Sequence, residues 1–372
     1  LTTVSQDELT VPSSRTSRLT RSTGAGWAFL LPFLIIYVVF LIFPVIQAVI
    51  MGFFDWDFLD IDDRTFIGLK NYGRMFWGTE MTWDLQQLWG WRLLGLAAIP
   101  FVWRAANRRS MTRGSALWLT VLAVLLFVVA MGVHPGGGGR WYDSQFWGSF
   151  GNTVLFVLMS TPAIVGLGLA LAVALNRPGR MVGVIRTMFF APYVLSVAVL
   201  TLIWAFLLSP SLGLIGSAWE TVGLEPINWL NSSTWAMPAI VVTTLWWTVG
   251  FNLVLFLAGL QDIDRSQYEA AELDGAGSWA QFRYITIPGL RRTTLLVVTL
   301  QIIASFQIFG QVFIMTRGGP NGATRVSIQH IFESGFRDFE LGYASAMSLF
   351  LFVVMVTISF LQFRFFRPEG AA

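Results

Sequence analysis

The chain has no cysteine, so neither a disulfide nor a thiolate metal site is open to it. Histidine is nearly as scarce. Of the two present, His134 and His330, both fall in predicted outer loops, where they cannot converge with acidic groups at one depth to form a catalytic centre. Charge is sparse as well: 12% of the 372 residues are Asp, Glu, Lys or Arg, against roughly 25% in a soluble globular domain. That is too little to cover a water-facing surface. The pattern Gly-x-x-x-x-Gly-Lys-Ser/Thr does not occur, which leaves the chain without a phosphate-binding loop of its own. Its basic residues border apolar runs and form no extended patch, which argues against nucleic acid.

Apolar residues are abundant. They make up 55% of the chain, with 17 Trp and 32 Phe and a mean hydropathy of +0.64. Several runs reach the ~20 residues that cross a bilayer as a helix, and tryptophan collects at the headgroup level. The fold class is therefore an all-α polytopic membrane protein with about eight helices.

In chain order, residues 1–25 read as a disordered cytoplasmic tail. The spans are expected near Trp27–Met51, Leu88–Trp103, Ser115–Val133, Phe150–Leu175, Val184–Leu208, Ala236–Leu260, Thr293–Met315 and Leu341–Phe363. Residues 26–148 form an N-terminal part with an extra helix pair near 88–133. Residues 149–366 form a core, and 367–372 a second tail. Residues 134–148, 209–233 and 316–338 read as outer loops. With the amino terminus inside, arginine favours the inner segments by about two to one, as short cytoplasmic loops require. Both termini then face the cytoplasm, as does the polar island around residue 270.

That island, residues 266–288, lies between two apolar runs. Ser266 precedes Glu269 by three residues and Ser278 precedes Gln281 likewise, the spacing of a capping box, so two short helices are expected. Gly275 and Gly277 stop the first of them. Pro288 suits the first turn of the next long helix. The product is a helix–turn–helix lying beside the membrane.

The same stretch resembles the EAA loop of permease subunits in binding-protein-dependent ABC importers. That pattern is Glu-Ala-Ala, three residues, Gly, nine residues, Ile-x-Leu-Pro. Here it reads Glu269-Ala270-Ala271, Gly275, then Ile285-Thr286-Ile287-Pro288, with Ile287 in place of leucine. Thr316-Arg317-Gly318-Gly319-Pro320 and Gly342-Tyr343-Ala344-Ser345-Ala346 resemble the carbohydrate group of these permeases, which includes the maltose and glycerol-phosphate proteins. The resemblance covers about 149–366 and, more loosely, 27–76; the pair within 88–133 departs from it. It implies the type I ABC importer transmembrane fold in a bacterial inner membrane. It also implies a second homologous permease, two copies of a cytoplasmic ABC ATPase and an extracytoplasmic solute-binding protein. ATP and magnesium would bind the ATPase, so this chain needs no cofactor. Glu269, Ala270, Ala271, Asp274, Gly275 and Pro288 would dock the ATPase, with Glu269 also capping its helix.

The expected core spans carry almost no ionisable residue away from their ends, so no proton relay is visible. The polar and aromatic residues there are uncharged: Trp247, Thr248, Phe251 and Asn252 in one span, Gln301 and Ser305 in the next. Gln301, Ser305 and Ile308 are spaced to share one helix face. Amides and hydroxyls beside aromatic rings suit a neutral polyhydroxyl solute, and the resemblance puts the solute site on these two spans. The plainer role for the same side chains is to join helices. An anionic solute such as glycerol phosphate stays open, since Arg317, Arg325 and Arg337 lie in an outer loop. A secondary transporter would need ion-coupling groups and internal repeats, and neither is seen.

Overall fold

The computed structural model describes residues 19–57, 64–77, 100, 104 and 143–365. Apart from Pro100 and Arg104, the extra pair expected within 88–133 lies outside the described residues, as do residues 1–18 and the tail 367–372. Among the described residues, five helices are long and apolar enough to cross a membrane, and six if one bent pair counts as a span.

The first span joins α1 (Leu19–Tyr37) to α2 (Phe43–Met51) through a wide π turn at Val38–Ile42. Pro44 has no N–H, and its ring crowds the carbonyl four residues back; the wider turn relieves both problems. Helix α1 already begins at Leu19, inside the segment expected to be a tail, because an established helix extends upstream at little cost. None of the window Trp27–Met51 is buried in the protein. Its α2 end touches the last helix of the described chain, and the rest, apolar on all sides, has lipid or another chain as its surroundings.

A two-stranded hairpin follows, β1 (Phe54–Asp55) with β2 (Thr65–Phe66), and then α3 (Lys70–Trp77). The core comprises α4 (Ser144–Ala174), α5 (Arg180–Phe190), α6 (Val197–Leu207), α7 (Leu214–Thr221) and α8 (Ala236–Gln261). Beyond a polar connector come α9 (Arg265–Leu273), α10 (Ser278–Gln281), α11 (Ile287–Gly289), α12 (Arg291–Phe306) and α13 (Gly310–Met315). Helices α14 (Ser327–Phe336) and α15 (Leu341–Phe365) complete the described chain.

Helix α4 is the central strut, packed along α8 and α12. Close approach depends on small residues, as is usual where lipid gives no hydrophobic drive between helices. A Cβ on Gly168 would sit 2.9 Å from Cβ of Asn252, and one on Gly250 would land on the Phe189 carbonyl. Phe156, Ile240, Val312 and Ile308 fill one apolar cluster, and Phe256, Leu253, Leu290 and Val297 another.

Four expectations need correction. Residues 184–208 do not form one straight span: α5 runs on through a 3-10 turn, Ala191–Val194, and α6 then leaves at 102° after the extended Leu195–Ser196. The break follows Pro192, and the Ser196 hydroxyl caps α6 afresh by accepting from the Val199 amide. The span expected at 293–315 is present as Arg291–Met315, but not as one unbroken helix: it stops at Phe306 and restarts at Gly310. Helix α4 starts at Ser144, inside the expected outer loop, because the Asp143 carboxylate accepts from the amides of Gln145 and Phe146. The expected outer loop 316–338 contains a buried helix, α14, seated on α15 and α4.

Candidate functional site

The polar connector begins where α8 ends at Gln261. The helix start differs from the capping-box reading. Asp264 is the cap, its carboxylate accepting from the Ser266 amide at 3.0 Å, so α9 starts at Arg265 and Ser266 lies inside it. Both oxygen types accept from an N–H, and the carboxylate two residues upstream reaches the free amide first. Glu269 instead pairs with Arg265, one turn back, at 3.3 Å.

Helix α9 ends in a Schellman turn. The Ala276 amide donates to the Ala271 carbonyl at 2.8 Å and the Gly275 amide to Glu272 at 3.0 Å. This places Gly275 at φ +78°, which glycine adopts without a Cβ clash. Gly277 is extended and caps α10 without a side chain, so the second capping box is also not formed. The Gln281 amide turns back to donate to the Ala276 carbonyl at 3.3 Å. A second π turn, Phe282–Thr286, leads into α11. Pro288 therefore sits in a short helical turn, and the long helix begins only at Arg291, after Leu290. The hydroxyls of Tyr268 and Thr286, 2.9 Å apart, tie α9 to this turn.

Glu269, Ala270, Asp274 and Gly275 are all exposed, and Ala271 is half-buried. Around them stand exposed apolar side chains: Leu273 is 90% exposed, Trp279 74% and Tyr284 77%. An acidic, alanine-lined and aromatic surface thus projects from the ends of two membrane spans.

Inside the bundle, the 3-10 turn between α5 and α6 lies against α8. Tyr193 stacks on Phe251 at 4.8 Å and lies 6.3 Å from Trp247, whose buried indole N–H has no acceptor among the described residues. The second break, Gln307–Phe309, lies close by, since α13 packs on α6 and Gly310 meets Val197. Broken helices meeting inside a bundle are a recurrent way to present polar groups to a solute.

Residues 164–368, more than half of the chain, match the family described as "Binding-protein-dependent transport system inner membrane component". The chain belongs to this permease family. The lactose transport system permease protein LacF of Rhizobium radiobacter is 35% identical over 229 residues, 60% of this chain and 76% of that one. The sn-glycerol-3-phosphate permease UgpA of Agrobacterium fabrum is 34% identical over 226 residues, 60% of this chain and 77% of that one. A bacterial alginate ABC transporter, solved in complex with an alginate pentasaccharide-bound periplasmic protein, contains a chain with the same fold. It aligns with a TM-score of 0.66 at 18% identity, over 95% of this chain and 98% of that one. The permease is a multi-pass membrane transport component and not an enzyme.

Within this permease the expected pathway residues divide. Trp247, Thr248 and Phe251 are half-buried along α8 near Tyr193. The Thr248 hydroxyl donates to its own helix, at the Thr244 carbonyl. Asn252, Gln301 and Ser305 are buried in one hydrogen-bonded chain. Asn252 donates to Gln301, Gln301 to Ser305, and the Ser305 hydroxyl is hydrogen-bonded to that of Ser160 of α4 at 3.1 Å. Ile308 does not share their helix face, because α12 has ended two residues earlier and Ile308 packs in the apolar core. Tyr193, half exposed beside Phe251, is not among the residues expected on the pathway. The signal for Tyr193 was the adjacent Pro192, which breaks a helix it cannot continue.

Proposed function

We propose that this permease moves a sugar or oligosaccharide through the inner membrane and is driven by a cytoplasmic ATPase that docks on residues 264–289. A second, homologous permease would complete the channel, and two copies of the ATPase would engage the two connectors. A solute-binding protein would deliver the sugar from outside. Both termini and the connector face the cytoplasm in this reading, supported by the arginine distribution.

The observation that carries the proposal is the connector itself. Glu269, Ala270, Asp274 and Gly275 stand exposed on a turn held rigid by backbone bonds and by Tyr268–Thr286. Pro288 joins that turn to α12. A push on α9 would reach the spans as rigid-body motion instead of dissipating in a loose loop. For the solute, the Tyr193–Phe251 stack with Trp247 offers ring faces to C–H groups and a free indole N–H to a hydroxyl. Asn252, Gln301 and Ser305 would hold α8 and α12 in register behind it.

An anionic solute gains less support. Arg325 pairs with Glu333 at 3.1 Å and Arg337 comes within 3.9 Å of the same carboxylate, so the one negative charge of Glu333 offsets about half of the positive charge on these two outer arginines.

The test is reconstitution of the permease pair, ATPase and binding protein in vesicles. ATP-dependent uptake of a neutral sugar is expected, with Tyr193→Ala and Phe251→Ala lowering it at unchanged ATPase assembly. Uptake of glycerol phosphate alone, or sugar uptake without the ATPase, overturns the proposal.

A further inference from the structure

A groove of about 270 Å³ opens where the end of α15 passes the start of α12. Its walls are Ile287, Pro288, Leu295 and Val298, with Gln362 of α15 opposite. The Gln362 amide leans on the Leu295 carbonyl at 3.5 Å and spans the two helices. Arg291 forms one wall and is exposed. It makes no ion pair and no side-chain hydrogen bond among the described residues, and no acidic residue lines the groove.

Depth gives the groove its meaning. Arg291 opens one membrane span and Gln362 stands at the close of another, so the groove lies at the rim of the bilayer. Val298 is seven residues into α12, about 10 Å deeper at ~1.5 Å rise per residue. A cation at the rim with an apolar wall running two turns below it matches a phospholipid, with its phosphate outermost and its acyl chain inward. Basic pockets between spans on the cytoplasmic side are a recurrent setting for anionic headgroups. A water-soluble phosphate would leave the apolar wall uncovered. A docked protein segment would need an acid for Arg291, whereas the bilayer supplies phosphate at that depth.

We propose that this groove binds one anionic phospholipid, with Arg291 on the phosphodiester and the chain along Leu295 and Val298. Only the assignment to the inner leaflet rests on the connector facing the cytoplasm. Because Ile287 and Pro288 form part of the wall, the lipid would brace the joint between connector and α12.

The assembled transporter is purified in mild detergent from a membrane containing phosphatidylglycerol, and its retained lipids are counted by native mass spectrometry. Retention of about one phosphatidylglycerol per permease is expected, and Arg291→Gln should lower it at least threefold. Val298→Phe, which fills the groove, should lower it as well. Arg292→Gln removes the same charge one residue away, outside the groove, and should retain the lipid. Equal loss in both arginine variants, loss in neither, or exchange of the bound lipid for phosphatidylcholine without preference overturns the proposal. All variants are read on complexes that still assemble by size exclusion. The readout is lipid and not uptake, so it stands or falls apart from the transport reading.

Discussion

Asn252 on α8 and Gln301 on α12 meet through one hydrogen bond, the Asn252 Nδ2 donating to the Gln301 Oε1 at 3.2 Å in a buried site. Gln301 passes the contact on to Ser305, which is 3.1 Å from Ser160 on α4. Three helices are therefore locked by four uncharged side chains. Truncating Asn252 to Ala leaves a buried acceptor without its donor, which costs about 1–3 kcal/mol. A double-mutant cycle of Asn252→Ala with Gln301→Ala should give a coupling of about 0.6 kcal/mol, the typical size for such bonds in membranes. Thermal unfolding of the detergent-solubilised complex measures it, and a coupling of zero would mean that the bond does not hold the spans.

Gly275 tests the connector. A Cβ there would meet nothing within 4 Å, but the backbone has φ +78°. A side chain thus adds only the left-handed strain, about 1–2 kcal/mol, and less for asparagine. Gly275→Leu should reach the membrane in normal amount yet lose most uptake, while Gly275→Asn keeps an intermediate rate. Full uptake by the leucine variant removes the docking role.

Asp143 joins the outer layer to the core. Its carboxylate caps α4 and accepts from the Tyr343 hydroxyl at 2.6 Å. Burial pushes its pKa up, but the Tyr343 hydroxyl and the amides of Phe146 and Gln145 outweigh this and hold it below the ordinary carboxylate range. A depressed carboxylate stabilises the fold above its unfolded pKa, and that contribution is lost as pH falls through the folded value. Asp143→Ala should cost about 1–2 kcal/mol, and Asp143→Asn, which still caps, much less. Melting curves at pH 7 and at a pH below the ordinary carboxylate range separate the cap from the charge.

His330 should make the outer layer sensitive to mild acid. It is buried on α14, and its Nε2 has no partner among the described residues. Burial pushes its pKa below the ordinary histidine value, while Asp143 opposes this, Arg325 adds to it, and Glu333 and Asp338 oppose it. The neutral ring is the folded form. Stability is thus complete above about pH 6.5 and declines as pH falls below it, since the unfolded chain takes the proton first. Hydrogen-exchange protection factors across 327–336, which already allow for the slower intrinsic exchange in acid, should fall between pH 7.5 and 5.5. His330→Phe should abolish that pH dependence, and its persistence would assign it to another group.

Much of this permease was legible in its sequence, for physical reasons that act locally. Long apolar runs must be helices in lipid because no water is present to satisfy the backbone, so Ala236–Gln261 and Leu341–Phe365 could be read nearly to the residue. The turn at Gly275 was equally plain, since a helix exit takes a positive φ that glycine accepts, but the caps were not: Asp264 and Gly277 start the two short helices in place of Ser266 and Ser278. What only the tertiary structure decided were events that depend on neighbours. The 102° bend after Val194 and the stop at Phe306 occur inside apolar stretches, and α14 is buried although its sequence is as polar as a loop. Apolar side chains serve equally in a straight span or a broken one, and polar side chains equally in an outer loop or in a buried helix whose neighbours bond them. The choice among these is made by what packs alongside, such as Phe189 against Gly250 or Ser160 against Ser305, and partners that far apart in the chain leave no trace in a local pattern.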